Sequence, residues 1–352
     1  MKTVKARSPV RVDLAGGTLD FWPLYSFLGT CTTVNVAVHI LTSAKIVERS
    51  DRKLVVKIKD LQYEGEFASL ADFMKCEDPE LKLVQAHVQF WNPGRGFELT
   101  TESESPVGGG LGGSSSLSIS LIKAFSAWLN RPVNDEDTVR LASNLEAKVL
   151  HVPTGTQDYY PAIYGGLNII DFTPMRPQWQ ALSTQASGFA DLWNKRALLV
   201  YTGQPHQSGI NNWEVFKATV QKDAKTLKQM KRLQEISSRM RDCVMQANWM
   251  ALPTLFNEEY EARVSLSEFF AAPTIHRLQE VAIGAGAESV KICGAGGGGC
   301  VLVWTTPTTR DTVKEACQKS GFKVLQEATP VDARKSWVEV YDQDGRSRPL
   351  DV

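Results

Sequence analysis

The sequence predicts an α+β protein of two halves, long enough for two domains or one large one. Three observations lead there: β-branched, alternating segments between Thr3 and Phe67, a glycine run that opens onto an apolar-periodic helix, and a Pro/Ser/Gln-rich stretch near the middle after which strand and helix signals begin again. With 352 residues, 43% of them hydrophobic, the chain can bury a substantial core. The expected division is residues 1–185 and 186–352.

Residues 3–14 read as a strand interrupted at Ser8-Pro9, followed by a turn at Gly16-Gly17 leading to Thr18, Leu19 and Asp20. Arg11 and Asp13 alternate with Val10, Val12 and Leu14, which places them on the face opposite the apolar set. That face is either solvated or turned to a ligand. Strands follow at Cys31–Glu48 and Lys53–Lys59, with Tyr63–Phe67 able to pair with them. A helix at Glu80–Phe90 and a strand at Phe97–Glu102 lead to the stretch PVGGGLGGSSSLSISL, Pro106 to Leu121.

In that stretch Gly108, Gly109, Gly110, Gly112 and Gly113 surround Leu111, three serines follow (Ser114, Ser115, Ser116), and Leu117, Leu121 and Phe125 recur at helical spacing. A side-chain-poor loop at a helix N-terminus suits an anion, because unpaired N–H groups and the positive end of the helix dipole both face it. A simple serine N-cap would explain the serines without the glycines. A Walker loop is excluded, since no lysine lies between Pro106 and Ile122. Gly108, Gly110 and Gly113 match the dinucleotide string, but the next segment is a second helix, Asp135–Leu150, where that fold needs a strand ending in an acid.

Glu146 lies near the C-terminal end of this helix, where the dipole disfavours an acid. A bound cation would explain it, and an exposed helix glutamate is the alternative. Asp158 stands among aromatic and small residues between two glycine turns. It is either a catalytic carboxylate or a helix-start charge.

After the crossing segment, residues 171–192, a strand at Ala197–Tyr201 precedes two long helices at Lys222–Ala247 and Leu252–Phe270. The first carries Lys222, Lys225, Lys228, Lys231, Arg232, Arg239 and Arg241, a wet face on most helices. A short helix from Pro273, two strands around Gly294–Gly299, a helix at Thr308–Ser320 and a strand at Phe322–Gln326 come next. A polar tail begins at Arg334.

Lysine plus arginine (39) equals aspartate plus glutamate (39), which argues against nucleic-acid or anionic-membrane partners and leaves a small molecule as the expected one. No segment reads as a signal peptide or membrane span, so a cytoplasmic protein, monomer or homodimer, is expected. The six cysteines lack Cys-x-x-Cys spacing and read as buried thiols.

Three segments in this order, SPVRVDLAGGTLD at 8–20, PVGGGLGGSSS at 106–116 and KICGAGGGGCVLV at 291–303, resemble the GHMP small-molecule kinases. The resemblance implies an N-terminal S5-like α/β domain, a ferredoxin-like C-terminal domain, and ATP and substrate bound between them. It implies that Gly108 through Ser116 cradles the ATP phosphates, that Ser114 and Glu146 hold Mg2+, and that Asp158 is the catalytic base steadied by Arg11. Gly17, Asp20, Gly296 and Gly297 are implied on the substrate side. Arginine at position 11 and the stretch YTGQPHQSG at 201–209 resemble the sugar-kinase branch of heptose 7-phosphate kinases, fucokinases and galactokinases. Mevalonate kinases generally carry lysine at the position of Arg11. Gly113 departs from the serine or threonine many members have there, which bears on which hydroxyl reaches the metal. The expected activity is ATP-dependent phosphorylation of a sugar or sugar phosphate, with a mevalonate-type kinase or a non-catalytic sugar/ATP sensor as alternatives.

Overall fold

The computed structural model describes residues 1–205, 208–266, 270, 272–294, 296–325, 328–332, 337–341 and 347–350, with residues 208–211 and 350 described by backbone alone. His206, Gln207 and Ala295, which fall inside two of the expected motifs, lie outside the described residues.

The first sheet is organised on two long strands, β1 (Thr3–Ala15) and β2 (Cys31–Glu48). They pair antiparallel over nearly all of β1, with a register shift at Pro9/Val10 where the proline has no N–H to donate. The expected break at Ser8-Pro9 is therefore a bulge within one strand. β3 (Leu54–Ile58), β4 (Tyr63–Phe67), β5 (Phe97–Ser103), β6 (Leu167–Phe172) and β7 (Gln178–Leu182) extend the sheet. β2 is long enough to pair with β6 through its first half and with β5 through its second. β7 corrects the reading of 171–192 as a crossing segment, since part of it is an edge strand on β6.

The second sheet has the order β11-β8-β10-β9, formed by β8 (Ala197–Tyr201), β9 (Ala287–Ile292), β10 (Cys300–Thr305) and β11 (Lys323–Leu325). The polar tail is also corrected. β12 (Val338–Tyr341) pairs with β1, and β13 (Ser347–Leu350) pairs with β12, so the end of the chain closes the edge of the first sheet.

Before the glycine loop the helices are α1 (Leu24–Leu28), α2 (Leu70–Lys75) and α3 (Lys82–Trp91). After it come α4 (Gly113–Leu129), α5 (Asp135–Leu150) and α6 (Tyr159–Tyr164). The second half adds α7 (Phe189–Arg196), α8 (Ser208–Val220), α9 (Ala224–Met245), α10 (Leu252–Leu266), α11 (Pro273–Gly284) and α12 (Arg310–Lys319). Helix α8 had no counterpart in the periodicity.

α4 is the central helix of the first half. Its residues from Ser118 to Trp128 are all buried, and Phe125 and Trp128 pack with Trp91 and Phe97 in an aromatic cluster with centroids 5.4–6.1 Å apart. That packing fixes the direction of the helix N-terminus. α5 begins where expected, with Asn134 capping Asp137 N–H at 2.8 Å. No described helix is long and apolar enough to cross a membrane.

Candidate active site

A cavity of about 420 Å³ opens where the glycine loop, the turn after β1, the α5–α6 connection and the β9–β10 loop converge. Its volume is in the range of small-molecule sites. One part is lined by apolar side chains, Ile58, Leu61, Leu83 and Leu150 among them, and another by Asp13, Thr18, Asp20, Asn212 and Arg263.

Arg11 ties the surrounding segments together. Its Nε donates to Asp158 Oδ1 at 2.7 Å, and its Nη1 donates to the carbonyls of Gly110 at 2.6 Å and Cys293 at 3.1 Å. One guanidinium thus binds the carboxylate before α6, the glycine loop and the β9–β10 loop, a reach that its planar fork provides. Arg11 and Asp13 face neither solvent nor the apolar layer. Both are buried at the junction of the two sheets.

Gly112 starts α4 with φ +72, and a Cβ there would come within 2.9 Å of Asp158 Oδ2, so both the backbone angle and the neighbour require glycine. Asp158 therefore sits against the head of the helix. Burial raises its pKa, and the charge and hydrogen bond of Arg11 oppose that rise. Asp20, 3% exposed, accepts from the Gln157 N–H at 3.0 Å, and burial pushes it up to about 6.

Glu146 is buried rather than solvated, accepting from Ser115 Oγ at 2.8 Å and from the Tyr159 hydroxyl at 2.5 Å. Burial raises the pKa of this carboxylate, and the neighbouring hydroxyls, Ser114 included, oppose the rise. The structure therefore brings Glu146 and two of the three loop serines together. Ser116 is not among them. Its hydroxyl donates to the Ser8 carbonyl at 3.0 Å and meets Thr42 Oγ1 at 2.8 Å, inside the sheet–helix core. Leu111 is fully buried and contributes its carbonyl to the Arg11 N–H at 3.0 Å.

The β9–β10 loop needs a correction. Cys293 and Gly294 line the cavity, whereas Gly296 and Gly297 do not, and Gly296 packs against Phe270. Gly17 does line it, with its carbonyl held by Arg263 Nη2 at 3.1 Å. The basic face of α9 points elsewhere. Arg232 pairs with Glu261, Arg239 with Glu258 and Arg241 with Asp171, and no residue of α9 borders the cavity.

Sequence reasoning missed Glu259, Arg263 and Lys291, which form a buried charge cluster with Asp13. Lys291 Nζ lies 2.9 Å from Asp13 Oδ2, and Arg263 Nη2 lies 2.6 Å from Glu259 Oε1. The signals were a lysine inside an apolar strand and an i,i+4 opposite-charge pair, and the latter is common on ordinary exposed helices. Tyr159, whose hydroxyl holds Glu146, was also missed.

The GHMP kinases N terminal domain matches residues 80–166, and the GHMP kinases C terminal domain matches residues 266–323. The first match contains the glycine loop, Glu146 and Asp158, and the second contains the β9–β10 loop. The chain is a GHMP kinase. This kinase is similar to the D-glycero-alpha-D-manno-heptose 7-phosphate kinase of Campylobacter jejuni, 28% identical over 96% of this chain and 99% of that one. It is 25% identical to the bifunctional fucokinase/GDP-fucose pyrophosphorylase of Arabidopsis thaliana over 86% of this chain and 30% of that protein. Among solved structures, a D-glycero-D-manno-heptose 1-phosphate kinase from Bacteriodes thetaiotaomicron superposes with a TM-score of 0.76, at 21% identity over 96% of this chain and 99% of that one. The last comparison bears on the fold, the two-domain arrangement expected from the three motifs.

Proposed function

We propose that this GHMP kinase transfers the γ-phosphoryl group of ATP to the anomeric hydroxyl of a sugar or sugar phosphate, with a heptose 7-phosphate as the first acceptor to try. The observation that carries the reading is the Arg11–Asp158 pair set against the head of α4, with Asp20 in the same cavity. The curated relatives named as heptose 7-phosphate kinase and fucokinase support the acceptor class.

The glycine-loop amides and the first turn of α4 bind and orient the triphosphate. A divalent cation fits the donors present: a carboxylate (Glu146) beside two hydroxyls (Ser114 and Ser115) is an all-oxygen set, suited to Mg2+ that takes its other ligands from phosphate and water. When bound, Mg2+ supplies compensation for the charge on the phosphoryl oxygens. Tyr159 keeps the Glu146 carboxylate aimed at the serines.

Asp158 accepts the proton of the acceptor hydroxyl as its oxygen bonds to phosphorus and the bond to the β–γ bridging oxygen breaks. Arg11, held in place by the Gly110 and Cys293 carbonyls, orients that carboxylate and faces the transferred group with positive charge. Asp20 anchors sugar hydroxyls in its ionised form. A non-catalytic sensor would have no use for the Arg11–Asp158 and Glu146–Ser115 arrangements, and no observation favours mevalonate over a sugar.

The test is ADP release across hexoses, deoxyhexoses, heptose 7-phosphates and mevalonate, with phosphorus NMR of the product. A glycosyl phosphate is expected; ADP release only with mevalonate, or with none of them, overturns the reading. Asp158→Asn should lower kcat by about 10²–10⁴-fold while leaving ATP affinity within a factor of about two, measured by titration.

A further inference from the structure

Outside the groups given a role above, a buried cluster of acidic and basic side chains lies behind the turn from Gly16 to Asp20. Arg263 is 1% exposed and spends its guanidinium on both domains. Nε and Nη2 reach Glu259 Oε1 at 2.9 and 2.6 Å on its own helix, α10. Nη2 also donates to the Gly17 carbonyl at 3.1 Å, and Nη1 donates to Thr18 Oγ1 at 3.3 Å. Lys291 of β9 closes the cluster, 2.9 Å from Asp13 Oδ2 and 3.4 Å from Glu259 Oε1.

Two features argue that this cluster exists for geometry. Two cations and two carboxylates taken out of water stabilise a fold less well than packed apolar side chains would, and here Asp13 Oδ1 and Glu259 Oε2 find no hydrogen-bond partner among the described residues. Thr18, a buried β-branched residue, also has φ +77, in the left-handed region such residues avoid. Such a conformation persists only when its surroundings impose it. Arg263 grips Thr18 on one side, and on the other Thr18 Oγ1 donates to Asn212 Oδ1 at 3.0 Å. Asp20 follows two residues later.

We propose that Arg263 is a positioning residue for acceptor binding: from the second domain it holds the Gly17–Thr18 turn in its strained form, and through the turn it sets where Asp20 meets the sugar. The proposal rests on the sugar-kinase reading above. It makes acceptor affinity depend on the seating of α10 against β1, while the nucleotide end, built on the glycine loop and α4, does not use Arg263.

Arg263→Lys keeps a positive charge for Glu259 and Asp13 and removes the fork that spans Glu259, Gly17 and Thr18 at once. Steady-state kinetics of the purified full-length variant should show KM for the sugar acceptor raised about tenfold, the loss of a charge-assisted hydrogen bond. KM for ATP should be unchanged and kcat within about threefold, since the base and the phosphate loop are intact. A folded Arg263→Lys with wild-type acceptor KM overturns the proposal, as does a parallel rise in KM for ATP, the mark of general loosening between domains. Glu259→Gln is measured beside it, whether or not Arg263→Lys folds, because Arg263 itself borders the cavity whereas Glu259 anchors Arg263 and does not. Glu259→Gln should also raise acceptor KM selectively, and an unchanged value overturns the proposal. Absence of sugar-dependent ADP release from the unaltered enzyme would remove the sugar-kinase reading, and this proposal with it.

Discussion

Arg11 was legible as a polar residue on a strand, and the family resemblance linked it to Asp158. Periodicity left open whether it faces water, because it reports only that the side chain opposes the apolar layer. Asp158, the glycine loop and the β9–β10 loop cover that face, and the covering turns a solvated position into a buried one. Arg11→Lys should lower kcat by more than tenfold, since one ammonium cannot reach Asp158, Gly110 and Cys293 together; stopped assays with saturating ATP and acceptor would measure it.

Asp20 offers a separate test by pH. Burial raises it from an ordinary 3.8 to about 6, so the fold favours its protonated form. The stability linked to this group is complete below pH 3.8 and is lost as pH rises through about 6, an effect of about 3 kcal/mol at most. On the proposed sugar-kinase reading acceptor binding runs the other way, because the ionised form accepts hydroxyl hydrogen bonds. Melting curves of wild type against Asp20→Asn should show the wild type losing ground between pH 4 and about 7. Its acceptor kcat/KM should gain an alkaline-rising limb near pH 6 that Asp20→Asn lacks.

Among the elements, α4 and its loop were the most readable, since glycine density and helical spacing are local signals. Their depth in the molecule was not readable. Phe125 is fully buried against Trp91, Phe97 and Trp128. Phe125→Ala should cost about 3–5 kcal/mol in urea unfolding and lower ATP affinity, because the helix that presents the loop loses its seat. The β9–β10 loop was legible as a glycine segment between two strands, and the resemblance put its Gly296 and Gly297 on the substrate side, whereas the glycine that borders the cavity is Gly294. Gly294 packs on Gly110 so closely that a Cβ would lie 2.7 Å from its Cα, and the Cys300 N–H donates to the Gly109 carbonyl at 2.7 Å. Gly294→Ala should therefore push the two glycine loops apart and raise KM for ATP, with a lower melting temperature. An unaltered KM for ATP would show that the phosphate loop does not depend on this contact. Strands β7, β12 and β13 were missed for one reason: each has only four or five residues and lies at or beside a sheet edge, so its pattern is too brief to read.

For the molecule as a whole, the cavity belongs to neither half alone: Arg11, Asp13 and Asp158 come from one, Arg263, Cys293 and Gly294 from the other. ATP at a hundred times its Kd should accordingly stabilise the entire unfolding transition by about 2.7 kcal/mol, measurable as a single shifted melt. The sequence by itself determined the principal strands and helices, the glycine loop that opens onto a buried helix and, through three motifs in order, the kinase family. These rest on spacing along the chain, which is local. Only the tertiary structure decided which serines face Glu146, which glycines touch, and that Glu259, Arg263 and Lys291 gather behind the turn from Gly16 to Asp20. Such contacts join residues up to 278 positions apart, and their energies depend on burial and angle, quantities that exist only once the two halves have closed on each other.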